Sequence, residues 1–155
     1  MKKNVIIILT SIFVIFIFAG AWLFSRPFNP AGKKGSLTIK NQTFAIEVAD
    51  TMMSRMRGLS GRDELGEHDG MLFVFDKPSA SGFWMKDMKF PLDIIWLRGN
   101  RIIGFSENLP AEPKKSIFTL PVYYPPEPVD RVLEVNAGVV KQYNFAAGDE
   151  VSISL

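Results

Sequence analysis

Two carboxylates stand where carboxylates are expensive. Asp93 lies within Pro91-Leu92-Asp93-Ile94-Ile95-Trp96-Leu97 and Glu134 within Val132-Leu133-Glu134-Val135, both otherwise apolar runs of strand length. Such a group either finds a cation or keeps its proton, and Arg57 and Lys86 are the natural partners. As chemistry, the pair would do general acid and base work, one pKa raised by burial and the other lowered by its partner. As structure, the same residues form buried ion pairs that fix strand register and touch no substrate, which is the role expected of them.

The segment from Phe83 to Asp93 is the leading candidate for a binding site. If Phe83 to Met88 is extended, Trp84, Lys86 and Met88 share one face, and the Lys86 ammonium lies beside the Trp84 indole. That pair is a platform for a sugar or an anionic group. The alternative places Trp84 in the core with Lys86 draped over it, charge in water. Arg57 and Tyr124 complete the ligand-binding candidates. Tyr124, in Tyr123-Tyr124-Pro125-Pro126-Glu127-Pro128, either offers a polyproline-type partner surface or, as expected, folds inward on a rigid loop.

Metal and nucleophile chemistry find little support. His68 is the single histidine and sits between Glu67 and Asp69 in a polar loop; Asp63, Glu64, Glu67 and Asp69 lack the spacing of a calcium loop. Gly58-Leu59-Ser60-Gly61 lacks the Lys-Ser/Thr ending of a phosphate loop. There is no cysteine, which excludes disulfides, thiol chemistry and a lipid-modified Cys. No cofactor and no metal are expected.

The elements that must position these residues read mostly as strands. Leu37 to Lys40 and Thr43 to Val48 form a hairpin around Asn41-Gln42. Asp50 or Thr51 caps a short helix through about Arg57, stopped at Gly58. Met71 to Phe75 is a wholly apolar strand. Leu92 to Leu97 and Ile102 to Phe105 flank Arg98-Gly99-Asn100-Arg101, a type II′ turn that sets Leu97 opposite Ile102 and Trp96 opposite Ile103, in a hairpin expected to be central. Six prolines make residues 110 to 128 a long loop. Arg131 to Val135 is a strand, Asn136 caps a second short helix to about Tyr143, and Glu150 to Ser154 is the last strand. The fold expected is mainly β: a compact antiparallel sandwich or partly closed barrel with two short helices, preceded by one transmembrane helix.

That last expectation comes from the N-terminus. After Lys2 and Lys3 no residue from Asn4 to Ser25 is charged. As a helix, residues 4 to 24 would be about 31 Å long, against a hydrocarbon core of about 30 Å, and their six Ile, four Phe, two Val and two Leu favour insertion by on the order of 6 kcal/mol. The division expected is a membrane anchor or uncleaved signal over 1–24, a linker over 25–35 and one β-rich domain over 36–155. The topology expected is single-pass in the cell membrane, N-terminus inside, with the domain extracytoplasmic. Cleavage near Ala21 would give a secreted or periplasmic form instead. The chain carries a net charge of +2, but residues 36–155 hold 13 Lys plus Arg against 16 Asp plus Glu, or −3. A mildly acidic domain without a basic patch argues against a nucleic-acid partner.

Five motifs occur in order: Arg57-Gly58-Leu59-Ser60-Gly61-Arg62, Gly70-Met71-Leu72-Phe73-Val74-Phe75, Phe83-Trp84-Met85-Lys86, Pro91-Leu92-Asp93-Ile94-Ile95-Trp96-Leu97 and Val132-Leu133-Glu134-Val135-Asn136-Ala137-Gly138. Together, over about residues 38 to 154, they resemble the bacterial and archaeal family called domain of unknown function 192. Asp87 and Arg98 depart from the Asn and Asp common in that family. The resemblance implies a small, β-rich, often exported protein and carries no established activity. Three functions are therefore expected in order: a membrane-anchored extracytoplasmic binding or accessory module contacting a cell-envelope glycan, small molecule or protein; an envelope-polymer hydrolase using Asp93 or Glu134; and a structural partner of another membrane protein. Catalysis is the less favoured side.

Overall fold

The computed structural model describes residues 32–155 apart from 113, 114 and 117. Among the described residues, seven strands and two short helices follow one another as β1 (Lys34–Ile39), β2 (Gln42–Ala49), α1 (Met52–Arg57), β3 (Asp69–Ser79), β4 (Leu92–Arg98), β5 (Arg101–Leu109), β6 (Val129–Asn136), α2 (Val139–Gln142) and β7 (Val151–Ser154). All strands belong to one sheet, ordered β5-β4-β6-β3-β2-β1-β7. Neighbours pair antiparallel except β2 and β3, which run parallel. A parallel pair needs a long crossover, here residues 50–68. That crossover carries α1 and the turn after it across one face of the sheet.

The sheet curls until its two edges meet at one corner. Arg101 of β5 bridges Glu150 beside β7, the Ile102 N–H donates to the Asp149 carbonyl at 3.0 Å, and the Val151 N–H donates to the Asn100 carbonyl at 2.8 Å. Curling of a single sheet replaces the two stacked sheets of a sandwich and agrees with the partly closed barrel.

Register sorts the side chains into two apolar layers. Val48, Leu72, Leu133 and Ile95 lie side by side across β2, β3, β6 and β4, as do Ala49, Phe73, Val132 and Trp96 one residue further along. Successive residues of a strand face opposite ways. The first set belongs to an inner core with contributions from all seven strands, including Leu37, Phe44, Ile102 and Val151, and α2 adds Val139 and Val140. The second set belongs to an outer layer on the back of β2, β3, β4 and β6, where Leu59, Met85 and Met88 from the connecting segments cover it.

Several sequence expectations need correction. The β4–β5 hairpin is not central: β5 is an edge strand. Leu97 does face Ile102, but a bulge beyond it sets Trp96 against Gly104 and not against Ile103. Gly104, a glycine inside a strand, sits at this bulge and is its local mark in the sequence. Asn136 ends β6 and does not cap α2, whose N-cap is Gly138 at φ 88°; its side chain donates to the carbonyls of Leu65 and Gly66 at 3.1 and 2.9 Å.

The membrane assignment also falls. Among the described residues no helix is long and apolar enough to cross a membrane. The longer described helix, α1, has six residues, about 9 Å of rise against a core of about 30 Å. The expected span over 4–24 lies outside the described residues. The transmembrane element of the fold, the membrane partner, the single-pass extracytoplasmic topology and an anchored function are accordingly withdrawn.

Candidate ligand-binding cleft

Between the outer layer and its covering segments lies a cleft of about 240 Å³. Phe73 and Phe75 of β3 and Glu134 of β6 face it from the sheet, Met52, Arg55, Met56 and Arg57 from α1, Gly58 to Ser60 from the following turn, and Ser81 to Trp84 and Met88 from the segment before β4.

Local rules place each wall. Thr51 accepts from the Ser54 N–H while the Ser54 hydroxyl accepts from the Thr51 N–H, a reciprocal box that starts α1. Gly58, at φ 52° and ψ −136°, stops it, a conformation open to glycine alone among the common residues. A methyl group there would lie 3.2 Å from the Phe73 ring and 3.9 Å from Glu134 Oε2, so the bare backbone lets the turn approach the carboxyl. No residue of α1 is buried. The helix is held instead by Arg55, which donates to the carbonyls of Asp50 and Val74 at 2.7 and 2.8 Å and whose guanidinium lies 5.3 Å from the Phe75 ring centre. Arg62 forks onto Glu47 through two 2.7 Å bonds, which hold the Glu47 pKa below the ordinary value and tie the turn to β2. The Ser60 hydroxyl donates to the Lys86 carbonyl at 2.8 Å.

Phe83 is the hub of the opposite wall. Its ring meets Phe73 at 5.1 Å and Trp96 at 5.5 Å, both edge to face, and its backbone exchanges two 2.8 Å bonds with Tyr123. Trp84 exposes 47% of its surface at the mouth. Met52 and Met56, one helical turn apart, stand exposed on α1.

Glu134 is the singular group of the cleft. It is 5% exposed, and burial raises its pKa to about 8. Burial favours the protonated carboxyl.

The sequence-derived candidates separate. Arg57, Trp84 and Glu134 come together in the cleft. Asp93 does not: Asp93 pairs with Val135 and Glu134 with Ile94, so the two carboxylates point to opposite faces of the sheet. Asp93 is fully buried and accepts from the Asn108 N–H at 2.8 Å and the Val140 N–H at 3.0 Å, serving the first turn of α2. Lys86 pairs with Asp87 and lies outside the cleft. The chain turns at Asp87, φ 56°, so the alternation expected through Phe83 to Met88 breaks and both Met85 and Met88 are buried. Tyr124 is exposed, with Tyr123 packed on the outer layer in its stead; Tyr124 stands against Gly82 beside the mouth. Sequence reasoning passed over Met52, Met56 and Arg55, and it included Phe83 in the candidate segment without singling it out. The i, i+4 methionines on a short capped helix were the available signal. No cluster of His, Cys, Asp and Glu fit for a metal occurs among the described residues.

A search of curated proteins finds no match to the chain. Among solved structures it is similar to a protein of unknown function from Novosphingobium aromaticivorans (TM-score 0.71, 26% identity, 82% of this chain and 89% of that one). It is equally similar to a Sinorhizobium meliloti protein described as a "putative transcription regulator" (TM-score 0.71, 27% identity, 81% of this chain and 97% of that one). The model of the domain of unknown function 192 family, described as "Uncharacterized ACR", matches residues 35–153. With the Arg57-Gly58, Phe83-Trp84 and Glu134 motifs converging on one cleft, the chain belongs to the domain of unknown function 192 family.

Proposed function

We propose that the domain binds a small, mostly apolar molecule in the cleft between α1 and the outer face of β3 and β6, with Trp84, Arg57 and Glu134 as ligand-binding residues. The observation that carries this reading is a carboxyl, buried apart from 5% of its surface, that lines a cleft walled largely by aromatic and methionine side chains beside Arg55 and Arg57. Ligand sites characteristically combine apolar walls with a few placed polar groups. Exposed methionines at the mouth give an adaptable rim. An acid-base pair of Asp93 and Glu134 is not supported, because the sheet stands between them. Contact with nucleic acid is not supported either, since residues 36–155 are net acidic.

Thermal-shift screening of the full chain against small aromatic compounds tests the proposal. A ligand at about 100 times its Kd adds roughly 2.7 kcal/mol, enough to raise Tm by several degrees. Trp84→Ala is expected to remove most of that shift with little change in the unliganded Tm, whereas Lys86→Ala leaves it intact. Equal shifts in wild type and Trp84→Ala would place the ligand elsewhere.

A further inference from the structure

Resting on that reading of the cleft, we infer that its ligand is a one-ring molecule carrying an uncharged hydrogen-bond acceptor, a ketone or carboxamide oxygen, which the Glu134 carboxyl engages as a donor. Size sets the ring count. A dry cavity of about 150 Å³ accepts benzene, and 240 Å³ leaves room for one ring with a short substituent. Shape agrees, with Phe73, Phe83 and Trp84 offering ring faces and edges.

Charge decides the head group. A cationic head would meet a carboxyl held in its acid form by burial and two guanidinium groups, Arg55 and Arg57, on the wall. An anionic head would be drawn toward the guanidinium groups, but Arg55 is already bonded to the Asp50 and Val74 carbonyls, and beside Glu134 the anion would suffer the same desolvation that favours the acid form there. A neutral acceptor avoids both penalties and can accept from the Glu134 carboxyl that lines the cleft. The titratable groups facing the cleft are Arg55 and Arg57, both from α1; β3, the 58–60 turn and the 81–84 and 88 positions contribute none. A loss of acceptor recognition between pH 6.5 and 9.5 that Glu134→Gln does not share reports Glu134.

Four probes, acetophenone, ethylbenzene, benzoate and benzylammonium, titrated into the full chain with ligand-observed NMR at pH 6.5 and 9.5, test the inference. Acetophenone is expected to bind about tenfold tighter than ethylbenzene at pH 6.5, and that advantage is expected to vanish at pH 9.5. Glu134→Gln, whose amide still donates, keeps the preference at both pH values, and Glu134→Leu abolishes it at both. Tightest binding by benzoate or benzylammonium, or a wild-type preference unchanged at pH 9.5, overturns the inference. Equal affinity for all four overturns it while leaving the cleft a binding site, and no binding by any overturns both.

Discussion

Glu134 and Asp93 show how differently two buried carboxyls can be employed. With a folded-state pKa of about 8 against an ordinary 4.5, Glu134 holds its proton in the native state at pH values where the unfolded chain has released it. Unfolding is therefore increasingly favoured as pH climbs from about 4.5 to about 8, by roughly 1.4 kcal/mol per unit, and the penalty is constant above that interval. Glu134→Gln removes it. The variant is expected to be more stable than wild type by on the order of 3 kcal/mol at pH 7, with the difference shrinking toward zero near pH 4, as read by denaturant midpoints across pH. Asp93→Ala moves the other way. It strands the Asn108 and Val140 N–H groups and is expected to lower stability by about 2 to 4 kcal/mol, with ligand affinity preserved. Both residues were legible as misfits in apolar runs. Their opposite orientations were not, because a face is assigned only once β4 is paired with β6, and that pairing joins positions forty residues apart.

At the scale of elements, what was local was legible. Thr51, α1 and Gly58 follow from capping chemistry and stand where the residue types put them. The Gly99 turn likewise follows from its own sequence, with φ 59°. The Trp84–Lys86 face failed because one residue, Asp87, takes a left-handed conformation that reverses the alternation. Tyr124 was misplaced because the choice between two adjacent tyrosines is made by Phe83, to which Tyr123 is bonded. Gly58→Ala tests the joint between α1 and its turn. Strain at φ 52° and the approach to Phe73 are expected to lower stability by about 1 to 3 kcal/mol and to weaken binding in the cleft, measured together by calorimetry.

Across the whole molecule, the strands were foreseeable from apolar patterning, whereas the choice of one curled sheet over a sandwich and the order of strands were not. The β2–β3 parallel pair and the meeting of β5 with β7 depend on long-range fit. The two layers differ in what they bear. Leu133→Ala, in the inner core, is expected to cost about 2 to 5 kcal/mol. The double change Met52→Ala and Met56→Ala, on a helix with no buried residue, is expected to stay within about 1 kcal/mol while reducing ligand affinity, both read from unfolding midpoints. Because strand residues alternate between those layers, Leu133 and Glu134 answer to separate demands although one peptide bond joins them. Mutagenesis restricted to every second residue of β3 and β6 would then alter the cleft without touching the inner core, with Phe73 and Val132, themselves buried, the positions where binding and stability change together.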